Sequence, residues 1–177
     1  YYLPGRWNVP DIRGLEDRLD LALSKASEKS GDILVFLPGK GEIAKAHQVA
    51  RKFRDFEVLE LHGGLSLKEQ SRIFDAQGKR RIILSTNVAE TSLTVPRISV
   101  VIDSGLVRQT RYHNDQGYLT LVPIAQDSAD QRAGRAGRLG PGICYRLWSD
   151  AGRLAPHTEP EIYREALEPL VLAALAC

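Results

Sequence analysis

Apolar residues come in short blocks whose period switches between helical and extended along the chain. From Gly14, residues Leu15, Leu19, Ala22, Leu23 and Ala26 recur at helical spacing as far as Gly31 and predict a packing helix. Ile33 to Leu37 is an unbroken apolar run between Gly31-Asp32 and Pro38-Gly39, the mark of a strand buried on both faces. Pro38-Gly39-Lys40-Gly41 then opens a helix that runs to about Phe53. Val58 to Leu61, Arg81 to Ser85, Val100 to Asp103 and Ile143 to Trp148 predict further strands. Ser66 followed by Glu69 is a capping box for the helix that carries Ile73 in the core. Val107 to His113 and Tyr118 to Val122 alternate around Asn114-Asp115-Gln116-Gly117 and predict a hairpin. Thr158 and Glu161 cap a last helix with Ile162, Ala166, Leu170 and Leu175 on one face and a kink at Pro169.

This alternation predicts an α/β fold: an open, mostly parallel sheet with helices on both faces and an antiparallel hairpin insertion. Ligands of such sheets gather at the carboxyl ends of the strands, and each polar motif described below follows a strand. Residues 1–13, with Pro4 and Pro10, read as a linker or edge strand from a preceding domain. Residues 14–155 form the domain, and residues 156–177 lead toward a following one. Tyr1 in place of an initiator methionine predicts that the chain starts inside a longer protein.

Composition narrows the partners. The 177 residues suffice for one α/β domain, and no stretch reaches the roughly 18 apolar residues of a membrane span, which predicts a soluble protein. Cys144 and Cys177 lie in no C-x-x-C or metal-type spacing and predict reduced thiols in a cytoplasmic setting, Cys144 packed rather than reactive. The net charge of +2 is uninformative, but residues 38–153 carry 18 Lys/Arg against 12 Asp/Glu. An anionic partner therefore belongs in the middle of the chain.

Three segments there carry candidate chemistry. In Gln-Arg-Ala-Gly-Arg-Ala-Gly-Arg, residues 131–138, every long side chain is a hydrogen-bond donor. If the run is helical, Gln131, Arg135 and Arg138 share one face, Arg132 points away into a structural ion pair, and Asp127 and Ser128 cap the start. Gly134 and Gly137 each cost roughly 1 kcal/mol in a helix interior and suit the close approach of a backbone or ligand. A solvated basic turn is the plainer alternative. The turn at Gly39 offers backbone N–H groups to phosphate, or is simply a tight turn; it is not a P-loop, since G-x-x-x-x-G-K-[ST] is absent. Thr86-Asn87-Val88-Ala89-Glu90-Thr91-Ser92-Leu93-Thr94 packs hydroxyls, an amide and a carboxylate after a buried strand, as a capped helical turn or as a binding segment.

The arginine run resembles the last motif of superfamily 2 helicases, Q/H-R-x-G-R-x-G-R, and residues 86–94 resemble the TN-x-AETS-x-T motif of the DEAH-box branch. Phe36-Leu37-Pro38-Gly39 with Gly41-Glu42-Ile43 is similar to the bacterial HrpA/HrpB type, HrpB above all. The resemblance covers about residues 31–165 and implies the second RecA-like domain of an ATP-dependent RNA helicase. It implies that Gln131 orients the attacking water or a γ-phosphate oxygen, and that Arg135 and Arg138 act as arginine fingers on ATP held by the first RecA-like domain. Ser92 becomes a sensor of the γ-phosphate and Phe74 a stacking surface for adenine. Gly39, Lys40, Thr86, Asn87 and Thr91 become contacts to the backbone of single-stranded RNA, with DNA possible, and Arg108 and Arg111 of the hairpin border the same channel. The P-loop and the Mg²⁺ ligands belong to the missing first domain, so the fragment alone is expected to be inactive and monomeric. One departure stands out: Pro96 occupies the place of an acidic residue in many relatives, and a proline cannot make the ribose contact proposed for that acid.

Two rival functions remain open to the sequence. One is an ATP-independent nucleic-acid or protein binding module with a degenerate helicase fold. The other is an unrelated α/β enzyme that takes a phosphorylated metabolite at the arginines; it needs a general base nearby, and the sequence offers no convincing one.

Overall fold

The computed structural model describes residues 1–2, 11–75, 78–91, 94–113, 116–138 and 140–158. Helix α1 (Leu15–Ser27) starts at Gly14, whose left-handed backbone (φ 62°) suits a residue without a side chain. Its apolar face buries Leu15, Leu19, Ala22, Leu23 and Ala26, as the spacing requires. Then follow β1 (Asp32–Phe36), α2 (Lys40–Ala50), β2 (Phe56–Leu61), α3 (Leu67–Phe74), β3 (Arg80–Ser85), the short α4 (Val88–Thr91) and β4 (Ile98–Asp103). The hairpin β5 (Leu106–His113) and β6 (Gln116–Pro123), α5 (Gln126–Ala133) and β7 (Ile143–Arg146) complete the described elements.

Five strands form one parallel sheet in the order β2-β3-β1-β4-β7, and β5-β6 pair antiparallel as a separate ribbon. Alternation along the central strands splits the core in two. Ile33, Val35, Ile82, Leu84, Val100 and Ile102 pack under α1 and α2. Leu34, Phe36, Ile83 and Val101 face Ile73 of α3, Ala89 of α4 and Ala136. Connections leave β1 toward β2 and β4 toward β7, so they diverge at the carboxyl ends of adjacent strands, where open α/β sheets bind ligands. The opposite end is closed by a buried ion pair: Arg81 donates to Asp32 Oδ2 at 2.6 and 2.8 Å and to the carbonyls of Ile73, Asp75 and Pro96.

Several boundaries differ from the sequence expectations. α2 stops at Ala50, and a tighter turn continues to Phe53 through N–H bonds to carbonyls three residues back. β7 stops at Arg146 because Trp148 turns inward, 1% exposed, onto Ile124 and Ala129. α5 is capped by Ala125 with no side-chain bond; Asp127 instead accepts from the Thr158 N–H and hydroxyl, each at 3.0 Å. Residues 159–177, with the expected last helix and its kink at Pro169, lie outside the described residues, as do Pro4 and Pro10. Tyr2 bridges in parallel to Arg146 beside β7.

Candidate nucleotide and nucleic-acid interface

The arginine run is not one helix. α5 ends at Ala133 with Gly134 as C-cap, and the N–H groups of Arg135 and Ala136 bond to the carbonyls of Arg132 and Ala133, both at 3.1 Å. These bonds tighten the chain into turns, so Gln131 lies on the helix while Arg135 and Arg138 follow it. The cause is packing: Ala136 is drawn into the core at 3% exposure, and Gly142 crosses directly over its carbonyl. Gly142 is therefore the glycine that a close backbone approach requires. Nothing described lies within 4 Å of a methyl placed on Gly137, and on Gly134 it would meet only ordinary contacts at 3.4 Å.

Arg132 forms the expected structural ion pair, with two partners the sequence did not single out. Its Nε donates to Glu90 Oε2 and its Nη1 to Asp103 Oδ1, both at 2.9 Å, beneath the ring of Phe36. Glu90 Oε1 also accepts the Ser128 hydroxyl at 2.6 Å. Glu90 thus fastens the polar turn after β3 to α5. Burial opposes the charge of Arg132, but Asp103 and Glu90 outweigh it and raise its pKa. Deleting Arg132 leaves two buried carboxylates without their partner, a loss of about 3–5 kcal/mol.

Arg135 donates to the main-chain oxygen of the same Glu90. Its Nε and Nη1 are buried without a hydrogen-bond partner, and burial, then the nearby Arg138, lowers its pKa. Arg138 is exposed and donates to the Thr94 hydroxyl. Among the described residues no carboxylate forms a salt bridge with either arginine. Gln131 is exposed on α5, and Phe74 stands 40% exposed at the end of α3. Ser92 and the side chain of Thr91 lie outside the described residues.

On the other side of the sheet ends, Gly39 caps α2 in an extended conformation that any residue adopts. The Lys40 ammonium reaches the next strand's turn and crowds Gly64. Thr86 is half-buried, its N–H bonded to the Leu61 carbonyl at 3.1 Å, and Asn87 is exposed. Arg108 and Arg111 stand three residues apart on β5, so the two-residue period sends them to opposite faces. Arg108 reaches Glu42 of α2 at 2.8 Å.

Two depressions run along this side. One of about 260 Å³ is lined by Asn87, Glu90, Arg108, Thr110, Ser128 and Thr158. The second, of about 350 Å³, holds Arg111, Arg153 and His157 and shares Gln109, Ile124, Ala125 and Thr158 with the first. Asn87 and Arg108 therefore meet in one depression, and Arg111 belongs to the other. Cys144 is packed, and burial pushes its thiol up to about 12. Among the described residues no helix is long and apolar enough to cross a membrane.

Comparison with known proteins agrees with this geometry. The model of the helicase conserved C-terminal domain matches residues 15–140. Over 155 residues the chain is 46% identical to mouse probable ATP-dependent RNA helicase DHX34, covering 82% of this chain and 14% of that protein. Over 157 residues it is 45% identical to the ATP-dependent RNA helicase HrpA of Escherichia coli K12, covering 85% and 12%. The crystal structure of the E. coli DExH-box NTPase HrpB superposes with a TM-score of 0.83 at 36% identity, over 97% of this chain and 22% of that one. The chain thus spans only a small part of the relatives it matches. It belongs to the helicase conserved C-terminal domain family, as a RecA-like domain of the DEAH-box branch that includes HrpA and HrpB.

Proposed function

We propose that this chain is the second RecA-like half of an ATP-dependent RNA helicase and supplies arginine fingers to ATP bound by the first half. The observation that carries the reading is the state of Arg135: two guanidinium nitrogens buried, unpartnered and free of any described carboxylate. A γ-phosphate oxygen is the acceptor such a group lacks, and an arginine fork matches phosphate bidentately. Gln131 and Arg138 complete the catalytic set, with Ser92 and Phe74 on the nucleotide side. Mg²⁺ bound by the first half supplies charge neutralisation on the phosphates. ATP closes the cleft between the halves because the fingers gain it only when closed, and hydrolysis removes that differential affinity.

Single-stranded RNA runs past Gly39, Lys40, Thr86, Asn87 and Thr91, with Arg108 and Arg111 along the hairpin. These contacts go to phosphates, so the strand is held without base readout. Residues 14–155 make up the functional unit, between a linker and a helix toward a further domain, in a monomeric cytoplasmic protein. Glu90 links the two ligands, with its carboxylate on the strand side and its carbonyl under Arg135.

ATP turnover by the intact protein, with single-stranded RNA, single-stranded DNA and neither, tests the reading. In Arg135→Ala turnover falls about 10³- to 10⁵-fold while RNA binding persists. The 177-residue chain alone turns over no ATP. Turnover by that chain, proportional to its concentration and lost in Arg135→Ala, overturns the half-site assignment.

A further inference from the structure

Arg108 and Gly39 meet where the connections of β1 and β4 diverge, and a carboxylate holds them together. Arg108 Nη2 donates to Glu42 Oε1 at 2.8 Å, and its Cδ and Nε lie 3.0 Å from the position of a methyl on Gly39. Glu42, in the first turn of α2, is 8% exposed. Its second oxygen is buried with no hydrogen-bond partner and lies 3.2 Å from the same point. An acid in the first turn suits the helix field, but an orphan carboxylate oxygen is costly to keep. The Arg108 side chain is 36% exposed, so its guanidinium can change partner without crossing the core.

We propose that Glu42 is an internal stand-in for an RNA phosphate: it parks Arg108 over Gly39 in the free protein and yields it to the backbone of bound single-stranded RNA. The proposal rests on the RNA-binding reading above. Carboxylate and phosphate both present paired oxygens to the arginine fork, so the exchange keeps the geometry of the bond. The α2 N-terminus continues to stabilise the Glu42 charge after Arg108 leaves. A half-exposed pair is weak, so the exchange is reversible. Arg111, on the opposite face of β5, forms no described carboxylate pair and meets phosphate without this competition.

Binding of a labelled oligouridylate to the purified chain, across a series of KCl concentrations, tests the exchange. Glu42→Gln keeps the shape and removes the competing charge. It tightens binding by about two- to fivefold, the worth of an exposed pair, and steepens the slope of log K against log salt by about 0.7, one further phosphate neutralised. Arg108→Ala weakens binding, Arg108→Lys gives an intermediate affinity, and in the Arg108→Ala background Glu42→Gln changes neither affinity nor slope. The proposal is overturned if Glu42→Gln weakens binding or leaves the slope unchanged. It is equally overturned if Glu42→Gln tightens binding as much without Arg108, since Glu42 then merely repels. A folded wild-type chain with no salt-dependent RNA binding overturns the RNA reading itself, and the exchange with it.

Discussion

A methyl group on Gly142 would collide with the carbonyl carbon, oxygen and Cβ of Ala136, and backbone atoms cannot swing aside. We expect Gly142→Ala to cost about 1–3 kcal/mol in urea unfolding, as an overpacked core site does. Gly137→Ala, with open space around it, should stay within about 0.5 kcal/mol of the parent. Equal stabilities for the two variants would refute the crossing of Gly142 over Ala136. The same crossing ends α5 early, so at the residue scale one glycine outside the motif sets where the fingers stand. Nothing in the run 131–138 discloses this, because Gly142 lies beyond it and makes its contact through space.

At the scale of elements, α3 shows how fully local chemistry can be written in the chain. Ser66 Oγ accepts the Glu69 N–H while Glu69 Oε2 accepts the Ser66 N–H and hydroxyl, completing the capping box. Ser66→Ala should lower stability by about 1 kcal/mol at neutral pH. Hydrogen bonds from the Ser66 hydroxyl, then from its N–H, hold the Glu69 carboxyl below the usual range. The contribution of that carboxyl is therefore present above its unfolded pKa and lost as pH falls through the lowered folded value. Thermal melts of parent and variant across acid pH should converge; a constant gap would show that the carboxylate plays no part.

Strands and packing helices were legible for the same reason: each is set by a period within one segment. The fold class, the hairpin and the packing face of α1 follow from such periods. What local patterns could not give were pairings across sequence. Arg132 was readable as ion-paired from its direction, but Glu90 and Asp103 stand 42 and 29 residues away, and no spacing announces them. The split of Arg108 from Arg111 was readable in the strand period, whereas the hold of Glu42 on Arg108 spans 66 residues.

Across the whole molecule, stability is uneven. β1, β3 and β4 are buried on both faces, while β6 is exposed for most of its length. The ribbon rests on a small cluster of Ile124, Ala129 and Trp148, with Val107 packed against it. Amide hydrogen exchange should therefore find the β5–β6 amides opening at free energies a few kcal/mol, roughly, below those of the central strands. Equal protection throughout would mean that the ribbon belongs to the same cooperative unit as the sheet. The proposed RNA contacts on the hairpin thus sit on the softer part of the fold, and the proposed fingers on a turn packed against its core.

The acceptor beneath Arg135 is a peptide oxygen. Substituting the side chain at position 90 leaves that atom in place, so an alanine scan of the turn after β3 would pass over the link between this turn and the arginine. Only a change in the path of the main chain, such as an inserted residue or a proline, can erase it. Selection acting on side chains alone has little purchase on this connection, and it can persist while the residues around it diverge.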